Sequence, residues 1–228
     1  MSTSSLYRLS GLALILGAML SALGYLIKPE VGNDLGLYFN PLYLPSSLLT
    51  FTGGLLLLVG LPGMYTYQAK KAGKFGLVSF LIAFIGLAIL EVGAGLLYAF
   101  VPPLLASNPA TQFLVSQPRG GGFEAHLGSI FLIYFMLGLL GSNLGGLLYG
   151  IATFRAGVFP RSASILIFGS VIFGFLLSSL KSPLIGDRPV LLMHAGFAWC
   201  GLFLWLQSSA NNQLERVSIP DTQKVVEG

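Results

Sequence analysis

Two side chains in the long apolar stretches of this sequence carry a carboxyl or an imidazole. They are Glu91, in LAILEVGAGLLYAF (87–100), and His194, in PVLLMHAGFAW (189–199). On neighbouring helices such a pair can pass a proton, bind a polar headgroup, or bond to each other and hold the helices together. Gly95 and Tyr98 follow Glu91 at i+4 and i+7, so a helix would place a carboxyl, a gap and a phenol on one face. Glu91, Tyr98 and His194 are therefore the candidate ligand-binding residues. The other imidazole, His126, stands with Glu124 in RGGGFEAHLGS (119–129), just ahead of another apolar run. A carboxylate in a first helical turn suits the positive end of the helix dipole, so ordinary helix-start chemistry accounts for Glu124 and its neighbour. A sharper alternative makes His126 and His194 the axial ligands of a haem, or joins them to Glu124 and Asp187 around a metal. The spacing does not select it, because H-x-x-x-H and H-E-x-x-H are both absent.

Little else in the chain competes for chemistry. There is no Ser–His–Asp arrangement, no G-x-x-x-x-G-K-[ST] and no strand-bound G-x-G-x-x-G. The balance lies against an enzyme, and no cofactor is expected outside the haem alternative. The single cysteine, Cys200, excludes an intrachain disulfide and sits among apolar neighbours as a small packing residue.

These residues need elements to carry them, and composition says what kind. The 228 residues are 54% hydrophobic and 9% charged, against about a quarter charged in an ordinary soluble domain. One core could not hide that much apolar surface, so the bilayer is the expected solvent. The formal charge of +4 is small, and no basic stretch is interleaved with aromatics in a polar setting; nucleic-acid binding is not expected. Apolar runs of the roughly 20 residues needed to cross a bilayer predict six spans. They fall near Tyr7–Ile27, Leu44–Tyr67, Phe75–Phe100, Leu127–Phe154, Ser162–Leu180 and Pro189–Gln207. The first run is too long for a signal peptide and lacks a closing A-x-A site, so it reads as an anchor.

Orientation follows from the cations. Arg8, Lys70, Lys71, Lys74, Arg155, Arg161, Arg216 and Lys224 fall on one side, and Lys28, Arg119, Lys181 and Arg188 on the other. The richer side is read as cytoplasmic, which puts both termini inside. The expected fold class is thus an all-α integral membrane protein, a six-transmembrane-helix bundle with N-in and C-in ends. Residues 1–207 form the transmembrane domain and 208–228 a polar cytoplasmic tail. In that frame Glu91 lies about 13 Å below the outer end of its helix and His194 about 7 Å, a difference two side chains can close.

The inner turns are tightly punctuated. In GIATFRAGVFPRSAS (150–164), Arg155 meets the negative end of a helix, Gly157 supplies a left-handed residue, and Pro160 can start the next helix but not continue the last. YQAKKAGKFG (67–76) is punctuated alike, which hints at an old duplication of a helical hairpin. The ATFRAGVFPR turn, the flanking LYGI, GLPGMYTYQAKKAG, and the opening LYRLSGLALILGAMLSALGYLIKP resemble small multi-spanning bacterial membrane proteins with an R-A-G-V-x-P-R turn. That resemblance implies an inner-membrane helical bundle, and no activity, cofactor or functional residue.

Small residues set how such helices adhere. Ser142, Gly146 and Gly150 recur at i, i+4 and i+8, beside Gly138, Gly141 and Gly145; Gly17 and Ser21 form another pair, and Ala198 and Gly201 follow His194 along the sixth helix. Asn143 is expected to bond across to a neighbouring helix. The outer loops 31–45 and 101–118 are long and rich in Pro, Asn and aromatics, and could cover the outer opening above Glu91 and His194. The favoured reading is a non-catalytic protein that binds a lipid-like or amphipathic molecule, or a partner subunit, in its outer half. The alternatives are the haem or metal protein of His126 and His194, and a small proton-coupled transporter using Glu91.

Overall fold

A computed structural model describes residues 3–29, 35–115, 128–178 and 189–217. Among them the long elements are helices: α1 (Thr3–Ile27), α2 (Tyr43–Leu87), α3 (Gly95–Ser107), α4 (Gly128–Ala156), α5 (Arg161–Ser178) and α6 (Pro189–Val217). A π-helical segment, Ala88–Ala94, joins α2 to α3. Among the described residues four helical stretches are long and apolar enough to cross a membrane: Ser4–Ile27, Tyr43–Ser107, Leu132–Ala156 and Pro189–Ser209. Arg161–Leu177 is apolar but shorter. Large apolar side chains point outward along these helices, among them Phe175 at 70% and Val59 at 66% exposure. A surface of that kind is stable against lipid tails, not against water. The protein is a helical membrane bundle.

The 65-residue stretch Tyr43–Ser107 is too long for one crossing, since at 1.5 Å per residue it would run about three bilayer cores end to end. It is broken at Gly73, where φ is 59° and ψ −157°, a conformation that favours glycine. The chain folds back there. Tyr65 stacks on Phe80 with ring centroids 4.7 Å apart, and Gly54 lies against Glu91. The first arm (43–72) and the second (74–107) are therefore antiparallel. Gly157, at φ 60°, closes α4 as its sequence context predicts, and Pro160 accepts the first backbone bonds of α5 from Ala163 and Ser164. The two helix-connecting turns thus use the same device, a positive-φ glycine, at Gly73 and Gly157. They also touch, through the Arg155 guanidinium 5.7 Å from the Phe75 ring.

Helix order in space is cyclic. α1 packs on the first arm of α2 and on α6; the second arm packs on α4, α4 on α5, and α5 on α6. The N-terminal half of α1 meets the C-terminal half of α6 at Gly11, Gly201 and Trp205. The interior is filled by Leu14, Leu57, Leu61, Met64, Tyr149, Ile167, Phe197 and Leu204, all essentially buried. α6 continues as helix through Val217, past Gln207 where the polar tail was expected to begin; no helix breaker occurs before Pro220.

Close approach is concentrated on particular glycines. On α4 the tight face is Gly138, Gly141 and Gly145, set against Ile89, Gly86 and Ala83 of the returning arm. Of the Ser142–Gly146–Gly150 row, Gly150 is tight against Phe168 of α5, while Gly146 makes only ordinary contacts. Asn143 does not bond across. Its amide donates to the Leu139 carbonyl of its own helix at 2.8 Å, which satisfies it without a neighbour. A Cβ on Gly86 would collide with the backbone of Gly141 and Ser142, whereas one on Gly169 would meet nothing within 4 Å. Gly86→Ala is therefore expected to destabilise the purified protein by about 1–3 kcal/mol in thermal unfolding, and Gly169→Ala to leave it unchanged.

Candidate functional site

Glu91 sits at the middle of the π segment, a conformation that carries one extra residue per turn and is found mostly as single-turn insertions, often at functional sites. Its side chain is 2% exposed and turned inward across Gly54, where an added Cβ would come within 2.7 Å of the Glu91 Cβ. Only glycine at position 54 leaves that room. From α1, two residues before its end, the Tyr25 hydroxyl donates to Glu91 Oε1 at 2.9 Å. From the first turns of α6, His194 is 1% exposed, and its ring lies 5.7 Å from that of Tyr25. Its Nδ1 is 2.8 Å from the Val190 carbonyl. A carbonyl only accepts, so Nδ1 carries a proton and donates to it. Three separate elements thus deliver a carboxyl, a phenol and an imidazole to one point. Glu91 Oε2 and His194 Nε2 are both buried and have no hydrogen-bond partner.

The sequence-predicted stripe of Glu91, Gly95 and Tyr98 divides in two. Gly95 still faces the first arm at Phe51, but Tyr98 packs at the end of the bundle with Ala106 and Val115, and its ring is 6.3 Å from that of Phe135. The Tyr98 carbonyl accepts from the Tyr43 hydroxyl at 2.8 Å, which pins the start of α2 to α3. Between them lies an open cleft of about 460 Å³, with Tyr38, Asn40, Leu44 and Pro45 on one wall and Phe100 and Pro103 on the other. His126, Glu124 and Asp187 lie outside the described residues. Among the described residues no group of three His, Cys, Asp or Glu side chains is placed to hold a metal.

Two contributors were not singled out from the sequence. Tyr25, in LSALGYLIKP, is a hydroxyl set in an apolar run near the end of the first span. Its depth could have been read, but not that α1 lies between Glu91 and His194. Gln68 reads as part of an inner turn, yet it is 1% exposed and its Nε2 donates to Thr153 Oγ1 at 3.0 Å, joining α2 to α4 toward the opposite end of the bundle. Removing the Tyr25 hydroxyl would leave both Glu91 oxygens without a donor in a buried setting. Tyr25→Phe is expected to lower unfolding stability by about 1 kcal/mol, read as a lower melting temperature with unchanged helix content by circular dichroism.

No protein-family model, curated protein or solved structure matches this chain.

Proposed function

We propose that the protein crosses a bacterial inner membrane six times with both ends in the cytoplasm, is not an enzyme, and binds an amphipathic, lipid-like molecule at the outer end of the bundle. The support for six crossings is the fold-back at Gly73 together with the antiparallel packing of the arms. The support for the orientation is the gathering of Lys70, Lys71, Lys74, Arg155 and Arg161 at the two inner turns.

The observation that carries the binding reading is the cleft of about 460 Å³ between the 38–45 segment and α3. Its size is that of a small-molecule site, and its walls are apolar with a few polar groups at fixed positions. Leu44, Phe100 and Pro103 would lie along an alkyl chain. Asn40 holds the Leu42 N–H with its Oδ1 at 2.9 Å, which leaves its amide nitrogen as the donating end toward an ester, carboxylate or phosphate oxygen. The Tyr43–Tyr98 bond keeps the two walls together, so the cleft is held open by the fold rather than made by the ligand. A second reading, proton-coupled transport through Glu91, is favoured by the unpaired Oε2 and Nε2 atoms deeper in the bundle.

Solvent extraction and mass spectrometry of the purified protein test the first reading. Wild type is expected to retain one amphiphile well above its share of the membrane lipid. Leu44→Trp fills the cleft and is expected to reduce that retention several-fold at unchanged thermal stability. Equal retention by both proteins, or retention that mirrors bulk lipid, would overturn the reading.

A further inference from the structure

Several features of the bundle invite a second role. Glu91 Oε2 and His194 Nε2 are buried without a partner, but neither bonds to the other and both are closed to solvent. Gln68 Oε1 and the Tyr149 hydroxyl are also buried without a partner, and an amide oxygen and a phenol can satisfy each other by a small rotation. The outward face of α4 carries Leu137 and Leu140, and lipid is enough to cover it. The end of the bundle that holds the two helix-connecting turns differs from all of these. It gathers charge of one sign and lacks the other.

We propose that the two turns together bind the headgroup of an anionic phospholipid. Lys70, Lys71 and Lys74 stand at the first turn and Arg155 and Arg161 flank the second, all of them exposed. The turns are fixed side by side at two points. The Arg155 guanidinium is 5.7 Å from the Phe75 ring, and the Tyr67 and Phe159 rings are 5.7 Å apart. Arg155 is thereby held beside the residue that follows Lys74, and Arg161 is held over Phe154 at 5.7 Å. A guanidinium over a ring spends its flat face there and keeps its in-plane N–H donors for a phosphate. No carboxylate is at hand to take them. The sequence has no Asp or Glu from 43 to 90 or from 125 to 186, which covers both turns, the first arm, α4 and α5. Glu91 lies 16 residues beyond Phe75, about 24 Å along the second arm. Helix α6 passes Phe159 at Phe203, with ring centroids 5.5 Å apart, and Glu215 is 12 residues, about 18 Å, farther along it.

Position selects the kind of anion. The first turn reverses at Gly73 and the second within 157–160, so the cations stay close to the ends of the helices they flank. On helices whose outer faces meet lipid, that is headgroup depth. Between the second arm and α4 a seam of small residues, Gly86 on Gly141 and Ala83 on Gly145, leads away from Phe75 and Arg155 into the apolar length of the bundle. Ile85 and Leu144, each one residue from that seam, are exposed, as is Val78 four residues beyond Lys74. A lipid whose phosphate meets Lys74 and Arg155 lays its acyl chains along these side chains, a contact that a free phosphate lacks. A zwitterionic headgroup would bring its own ammonium to a patch without a carboxylate, so charge selects a lipid of net negative charge. The site is at the opposite end of the first arm from the cleft and shares no residue with it, so neither reading depends on the other.

Native mass spectrometry tests this with the full chain exchanged into micelles that hold equal amounts of phosphatidylglycerol and phosphatidylcholine with the same acyl chains. Each cation near a membrane surface is worth about fivefold in affinity for an anionic lipid, so wild type is expected to retain phosphatidylglycerol by roughly tenfold or more. Lys74→Gln combined with Arg155→Gln is expected to bring the ratio near one, while Lys74→Arg combined with Arg155→Lys, which keeps the charge, retains the preference. Lys28→Gln, which removes a cation at the opposite end of α1, and Leu44→Trp in the cleft are expected to leave the ratio unchanged. Equal retention of the two lipids by folded wild type, a result that needs no variant, would overturn the proposal. So would a wild-type ratio in the doubly neutralised protein, or loss of the preference in Lys28→Gln.

Discussion

Lipid tails are as apolar as leucine, so helices in a bilayer gain little by hiding from their surroundings, and contact must come from backbones that approach closely. Each joint of this bundle is made that way. α1 meets the first arm of α2 at Gly17, Ser21 and Gly53, and meets α6 at Gly11 and Gly201. The returning arm meets α4 at Gly86 and Gly141, α4 meets α5 at Gly150, and α5 meets α6 at Gly196. A Cβ at any of these glycines would fall within about van der Waals overlap of the facing chain. Small residues are therefore the adhesive, and their placement, rather than any single strong bond, closes the helices into a ring.

The deep polar cluster follows from the same constraint. Gly54 lets the Glu91 side chain turn inward instead of clashing with α2, and the close α1–α6 packing brings Tyr25 and His194 to meet it. The π segment adds a residue at that point and so uncouples the face that carries Glu91 from the face that carries Tyr98. One part of the stripe sinks into the ring, and the other stays with the pinned segment at its end.

Much of this architecture was legible before any coordinates. Composition set the solvent, and Gly157 and Pro160 marked a helix-connecting turn whose geometry depends on just those residue types. Glu91 was readable as an inward group because a carboxyl has nowhere else to go at that depth. Three points were not legible. The π segment is encoded by no local pattern, and it packs closely on α4, where Gly138 lies against Ile89. Asn143 looked like a cross-helix bond because an amide in lipid needs a partner, but a carbonyl four residues back was the nearer one. Tyr25 joined the site because α1 packs beside both α6 and the returning arm, and helix neighbourhood is not written in hydropathy.

The central claim is that the Gly73 fold-back divides the chain into antiparallel crossings, with the inner turns and the outer ends on opposite faces of the membrane. Labelling of introduced cysteines in intact cells tests it most directly, since the native Cys200 is fully buried. An impermeant thiol reagent added from outside is expected to label Ser107→Cys and to spare Lys71→Cys until the membrane is opened. Labelling of both positions from the same side would contradict the account.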